Sequence, residues 1–250
     1  MNQPHSPERF KPGKNDTVIT IFGAFIAFFG LAFMLLPSTG HPRSEMARMQ
    51  SENNIKQIGL ALLNYRDVHG AFPPAYVTDE QGQPLYSWRV LILPFIEASD
   101  LYDQFDLDAA WDSPTNKPLI SQMPEALTSP FFFKTRSQGK TPYLAVVDSQ
   151  RGRTVLRPGP GQKFNYQLKT DAIDQSVMVI DDPGRMVIWT KPDDISPQQL
   201  LSLDPIDQNE LHGIHVLYGD AKVEHFDEEA CARLGNLIFC DEGRIPNAAR

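Results

Sequence analysis

Three hydrophobic periods follow one another along this chain. Residues 18–36 read VITIFGAFIAFFGLAFMLL, nineteen positions with no charge and one threonine. At about 1.5 Å per residue a helix of that length spans roughly 28 Å, close to the hydrocarbon core of a bilayer. A water-soluble domain would have to bury such a helix on every side. The pattern therefore predicts a transmembrane helix over 17–36. From residue 43 the period becomes that of an amphipathic helix. Met46, Met49, Asn53, Ile58, Leu62, Tyr65 and His69 recur at steps of three to five, with Ile55 and Leu63 beside them and Glu52, Lys56 and Arg66 on other faces. Gly70 ends that helix and Pro73-Pro74 stops it from resuming.

Beyond residue 75 the apolar runs are short and interrupted. A strand is predicted at 76–78, a short helix in the apolar stretch 88–96 that ends near Pro94, a helical turn at 100–105 and another short helix at 115–123. Strands are expected at 131–133 and 143–147, with a mobile loop over 150–162 between glycines and prolines. Segments 177–180 and 185–190 flank Asp181-Asp182-Pro183-Gly184, a turn sequence, and predict a hairpin. Residues 197–203 read as a helix. A second hairpin is expected from 214–218 and 222–226 about Gly219-Asp220, and a last helix at 228–234. Ala221 stands where an Asp-Gly turn would carry its glycine. The fold class is α+β: an amphipathic helix packed on an antiparallel sheet, with short helices and long loops. The organisation is a disordered cytoplasmic tail (1–16), a transmembrane signal anchor (17–36), a linker (37–42) and an extracytoplasmic domain (43–250).

Composition narrows the functional classes. The 21 prolines are scattered and disfavour a helical bundle. Net charge is −8. Residues 1–16 contribute +1, from Arg9, Lys11 and Lys14 against Glu8 and Asp16, so the rest of the chain carries −9. An acidic domain repels phosphate backbones, and no basic patch with interleaved aromatics is present, so nucleic acid is not an expected partner. Cys231 and Cys240 form no CxxC motif. A disulfide between them, in an oxidising compartment, and two buried thiols are both open readings.

Two readings compete for the N-terminus. Ser38-Thr39-Gly40 offers small residues for signal cleavage, but the apolar run exceeds the usual h-region of about 7–15 residues and favours an uncleaved anchor. Three basic residues precede the run and Arg43 and Arg48 follow it, a slight bias toward a cytoplasmic N-terminus in the inner membrane and a periplasmic C-terminal domain. Leu36-Pro37-Ser38-Thr39-Gly40 spells a sortase signal, yet the apolar run precedes it instead of following it, so the match is chance.

MARMQSENNIKQIGLALLNYRDVHGAFPPA at 46–75 resembles the opening signature of the DUF1559 family, a planctomycete set of pilin-like and pseudopilin-like membrane proteins. The similarity continues through SWRVLILPFIE at 87–97, LYDQF at 101–105, WDSPTN at 111–116, WTKPDD at 189–194 and HGIHVLYGD at 212–220. The resemblance implies one membrane helix, then a helix packed on an antiparallel sheet, and no established catalytic activity. It also implies a Gly-Phe processing junction with a glutamate five residues on, for the prepilin peptidase. This chain has Lys14-Asn15-Asp16-Thr17-Val18 there and lacks that motif.

Candidate chemistry is thin. Asp181/Asp182 and Asp193/Asp194 are adjacent carboxylates, and neighbours on a strand point to opposite faces, so both pairs read as turns. His212, His215, Asp220 and His225 suggest a metal, but residues three apart on a strand face opposite sides. Gly159-Pro160-Gly161-Gln162-Lys163 lacks phosphate-loop spacing. Tyr86, Trp88, Tyr102, Phe105 and Trp111 suit either a ligand platform or, as the better reading, core packing. The expectation is a non-enzymatic, membrane-anchored envelope protein acting on protein partners, with no catalytic, cofactor-binding or metal residues. The alternative is an exported binding protein for glycans or small ligands.

Overall fold

The computed structural model describes residues 42–132, 135–149, 154–157, 159, 173–202 and 213–226. The apolar run 18–36, the tail and linker before residue 42, both cysteines, His212 and the helix expected at 228–234 lie outside the described residues. Among the described residues no helix is long and apolar enough to cross a membrane. The chain divides after Pro42, and the larger unit, Arg43–Arg250, holds the sheets.

The architecture is α+β. Helix α1 (Pro42–His69) ends where Gly70 adopts φ +77° and donates its N–H to Arg66 O at 2.7 Å, as glycine can at little steric cost. Four antiparallel strands make the main sheet in the order β4–β5–β7–β8: β4 (Tyr143–Ala145), β5 (Val177–Asp181), β7 (Ile214–Tyr218) and β8 (Val223–Phe226). Two smaller pairs accompany it, β1 (Tyr76–Thr78) with β2 (Pro84–Ser87) and β3 (Lys140–Thr141) with β6 (Val187–Ile188). Short helices α2 (Trp88–Leu91), α3 (Ser99–Tyr102) and α4 (Pro197–Leu201) join these, along with 3₁₀ turns at Leu93–Phe95, Lys117–Gln122 and Glu125–Leu127.

Side chains alternate across the sheet and give it two cores. Tyr143, Ala145, Val179 and Leu217 face the larger one, which holds Ile55, Ile58, Ala61 and Leu62 of α1. Leu144, Val146, Ile180, Ile214 and Val216 face the smaller one, with Leu200 of α4 and Ile195. A register shift between Val177 and Val179 lets Met178 and Val179 both reach the α1 side.

Several expectations need correction. The inward face of α1 is Ser51, Asn54, Ile55, Ile58, Gly59, Ala61 and Leu62, whereas Met46, Met49, Asn53 and His69 are exposed. The apolar spacing at 46–53 fits a helix face, but the sheet lies on a neighbouring side, where Ser51 and Asn54 find polar partners. The first predicted hairpin does not form. Arg185 N does donate to Asp182 O at 3.0 Å, making the turn, but β5 pairs with β4 and β7 while β6 pairs with β3. Residues 131 and 132 form a turn and not a strand; Phe133 is outside the described residues. The loop expected to be mobile is anchored at its centre: Val155 and Leu156 are buried, and Arg157 O accepts from Ala75 N at 2.8 Å. The helix expected to end near Pro94 stops earlier, at Leu91, and a 3₁₀ turn over Leu93–Phe95 follows it. The 115–123 helix is 3₁₀. The β7–β8 hairpin forms as expected, with Ala221 itself in the left-handed region at φ +65°.

Candidate functional site

Two polar clusters lie beside the sheet, the first of them beneath α1. The first draws one residue from each of four elements. Ser51 of α1, Tyr143 of β4, Asp181 of β5 and His215 of β7 all face the same gap between helix and sheet, because strand alternation puts these three strand residues on the α1 side. All four are buried. Asp181 Oδ2 accepts from the Ser51 hydroxyl and from His215 Nδ1, the latter at 3.0 Å. Ser51 Oγ lies 3.0 Å from the Tyr143 hydroxyl. Since the serine proton goes to the carboxylate, the phenol is the donor in that contact. Burial and then the Asp181 charge push the Tyr143 phenol well above its ordinary value, which keeps it a donor.

Serine, histidine and aspartate together invite comparison with a nucleophilic triad. The order is wrong. A triad needs histidine between nucleophile and carboxylate, so that the imidazole takes the serine proton. Here the carboxylate sits in the middle, and the serine proton is committed to it. The cluster pins α1 to the sheet and leaves no activated nucleophile.

The second cluster is built on Arg89, whose side chain is fully buried. Ser87 caps α2 by accepting from Arg89 N at 3.3 Å and also takes a bond from Arg89 Nη1 at 2.7 Å. Arg89 Nε and Nη2 both donate to Tyr143 O, at 2.9 and 2.7 Å. Nη2 also meets Asp194 Oδ1 at 2.7 Å, and the same oxygen accepts from Ala145 N at 2.8 Å and Trp88 Nε1 at 3.2 Å. Burial pushes the Asp194 carboxyl up, against the pull of Arg89 and these donors. The guanidinium remains charged and bridges α2, β4 and the segment before Ile195. This is a strut, closed to solvent.

The residues singled out from the sequence are dispersed between these structures. Asp181 and Asp182 diverge: Asp181 enters the first cluster, and Asp182 Oδ1 accepts from Gly184 N at 3.0 Å in the turn. Asp193 pairs with Lys191 at 3.0 Å and Arg185 at 3.2 Å, away from its neighbour's buried pair. Asp220 Oδ1 accepts from Lys222 N at 2.8 Å, closing the hairpin turn. His215 and His225 are direct cross-strand partners, with ring centroids 5.1 Å apart and planes at 86°. Among the described residues no three His, Cys, Asp or Glu side chains form a group able to hold a metal ion. Of the phosphate-loop candidate, Gly159 is described, and its N–H meets Tyr76 O at 3.3 Å. Tyr86, Trp88 and Phe105 are buried, and Tyr86 stacks edge-on to Phe105 at 5.7 Å. Tyr102 and Trp111 are half-buried against the same core. These aromatics present no open platform.

Neither cluster is legible in the sequence. A buried arginine and a mid-helix serine carry no local signal, because their partners lie 105 and 130 residues away.

A family model described as a protein of unknown function, DUF1559, matches residues 41–195. No curated protein and no solved structure matches the chain.

Proposed function

Because this chain belongs to the DUF1559 family, we propose that it is a non-enzymatic, membrane-anchored protein of the cell envelope with a pilin-like domain that acts through protein interaction. The N-terminus is cytoplasmic, residues 17–36 span the inner membrane, and residues 43–250 are periplasmic. The observation that carries this reading is the two-sidedness of α1. Its inner face closes the core, while Met46, Met49, Leu60 and Val68, at 60–70% exposure, run along its outer side. Apolar side chains aligned at helical spacing on an outer face suit a protein partner. Among the described residues, Asp181 and Asp194 are held in buried pairs, and Asp182 and Asp220 in turns.

Carbonate extraction of membranes tests the anchor. The chain is expected in the membrane pellet, and release into the soluble fraction overturns the anchor. Protease treatment of spheroplasts is expected to degrade 43–250, and protection of that segment overturns the orientation. A photo-crosslinking residue at Leu60 is expected to capture a protein that the same residue at Lys222 does not. Equal capture at both positions, or none at Leu60, argues against α1 as the interacting face.

A further inference from the structure

The pairing of β7 with β8 brings together two histidines that the sequence keeps ten residues apart. We infer that His215 and His225 form a two-imidazole chelate for a first-row divalent transition metal ion, with Asp181 as the carboxylate that aims His215. This chelate depends on neither the anchor nor any protein partner.

The geometry begins with register. His215 and His225 are directly opposed, so their Cβ atoms leave the same face of the sheet at neighbouring points. Residues three apart on one strand cannot share an ion, but that limit does not apply across two strands. Imidazole nitrogens about 2.0–2.1 Å from one ion, at an angle near tetrahedral, put ring centroids about 5 Å apart. The observed centroid separation is 5.1 Å.

Protonation of His215 follows from its neighbours. Asp181 is an acceptor, so the 3.0 Å contact with Nδ1 places the histidine proton on that nitrogen. The Nε2 lone pair is then the one offered to a metal. A carboxylate on the far nitrogen is the arrangement that fixes tautomer and ring orientation in metal-ligating histidines. Here the carboxylate is itself fixed, because Asp181 also accepts from Ser51, which accepts from Tyr143. Gly213 confines the second ring: a Cβ at that position would come within 2.7 Å of His225 Cε1.

Access suits an exchangeable ion. His225 is exposed, so the pair opens to solvent at β8 while His215 is covered. Among the described residues the pair supplies two donors, and a two-imidazole site exchanges its ion readily. Imidazole donors select zinc, nickel or copper(II) over magnesium or calcium.

Calorimetric titration of the detergent-solubilised full chain, stripped with a chelator, tests the inference with zinc chloride and nickel chloride against magnesium chloride. Saturable binding of one zinc or nickel ion is expected, with none for magnesium. His225→Ala, an exposed position checked for fold by circular dichroism, is expected to weaken that binding at least about tenfold. Asp181→Asn is expected to weaken it about 10–100-fold, as loss of an outer-shell partner does. Zinc and nickel binding unchanged in His225→Ala, or no binding by the wild-type chain at millimolar metal, overturns it. If Asp181→Asn does not fold, the His225→Ala comparison decides alone.

Discussion

Asp182 shows how a single carboxyl sets a pH dependence. It is 2% exposed, and its burial raises the pKa against the pull of the Gly184 and Arg185 N–H groups. A raised native value means the folded chain binds more protons than the unfolded chain between the two values. Stability therefore falls as pH climbs from the ordinary carboxylate range, about 3.9, through the raised value, and stays lower above it. Asp182→Asn keeps an acceptor for Gly184 and removes that penalty. It is expected to melt higher than wild type at pH 7, the gap closing as thermal melts are repeated toward pH 4. A constant gap would show that the charge is not the cause. At Arg89 the expected effect has the opposite sign. Arg89→Met leaves Asp194 buried with two N–H donors and no cation, a loss of about 3–5 kcal/mol in denaturant titration. Neither effect is visible from composition, since Asp182 and the Arg89–Asp194 pair become buried only when remote segments of the chain close together.

At the scale of elements, α1 and the β7–β8 hairpin carry the clearest tests. Leu60 and Leu62 are two residues apart in a helix and look equivalent in a hydropathy profile. Leu62 is fully buried and Leu60 is 60% exposed. Leu62→Ala is expected to cost about 2–5 kcal/mol and Leu60→Ala about 0.5 kcal/mol or less, by urea unfolding. The hairpin approaches α1 closely at Gly59, where a Cβ would meet Leu217 Cδ1 at 2.7 Å and Ala221 Cβ at 3.1 Å. Ala221 itself holds φ +65°, a conformation that costs a non-glycine residue roughly 1–2 kcal/mol. Ala221→Gly is expected to raise the melting temperature, by an amount reduced by the lost methyl contact with Gly59. A fall in melting temperature would mean that the contact outweighs the strain. Elements are legible in the chain where local chemistry fixes them: Gly70 as a helix stop, and Gly219-Asp220 as the turn of the β7–β8 hairpin. A β5–β6 hairpin is the wrong inference from sequence because its turn residues are genuine while its strand partners are remote.

For the molecule as a whole, the acidic domain and the apolar run 18–36 are the features that act over the longest range. The proposed anchor confines the chain to a membrane surface, and the proposed partner meets α1 on its outer side. Met49→Gln together with Leu60→Gln is expected to leave stability within about 1 kcal/mol of wild type, as exposed positions do, while reducing crosslinking to the partner. Loss of folding in that double variant would show instead that the outer face of α1 is structural.

Local patterns in the chain were enough to settle the family, the α+β class, the amphipathic helix, its stop at Gly70 and the second hairpin. Each depends on periodicity, turn chemistry or extended motifs, which are written in neighbouring residues. The apolar run on which the anchor proposal rests is likewise local. Packing settled which side of α1 faces inward, which strands pair with β5 and β6, and that Ser51, Asp181 and His215 meet. It also set His225 beside His215 and Asp194 against Arg89. Those outcomes depend on contacts between residues far apart in the chain, where the free energy of burying and pairing polar groups outweighs any local preference.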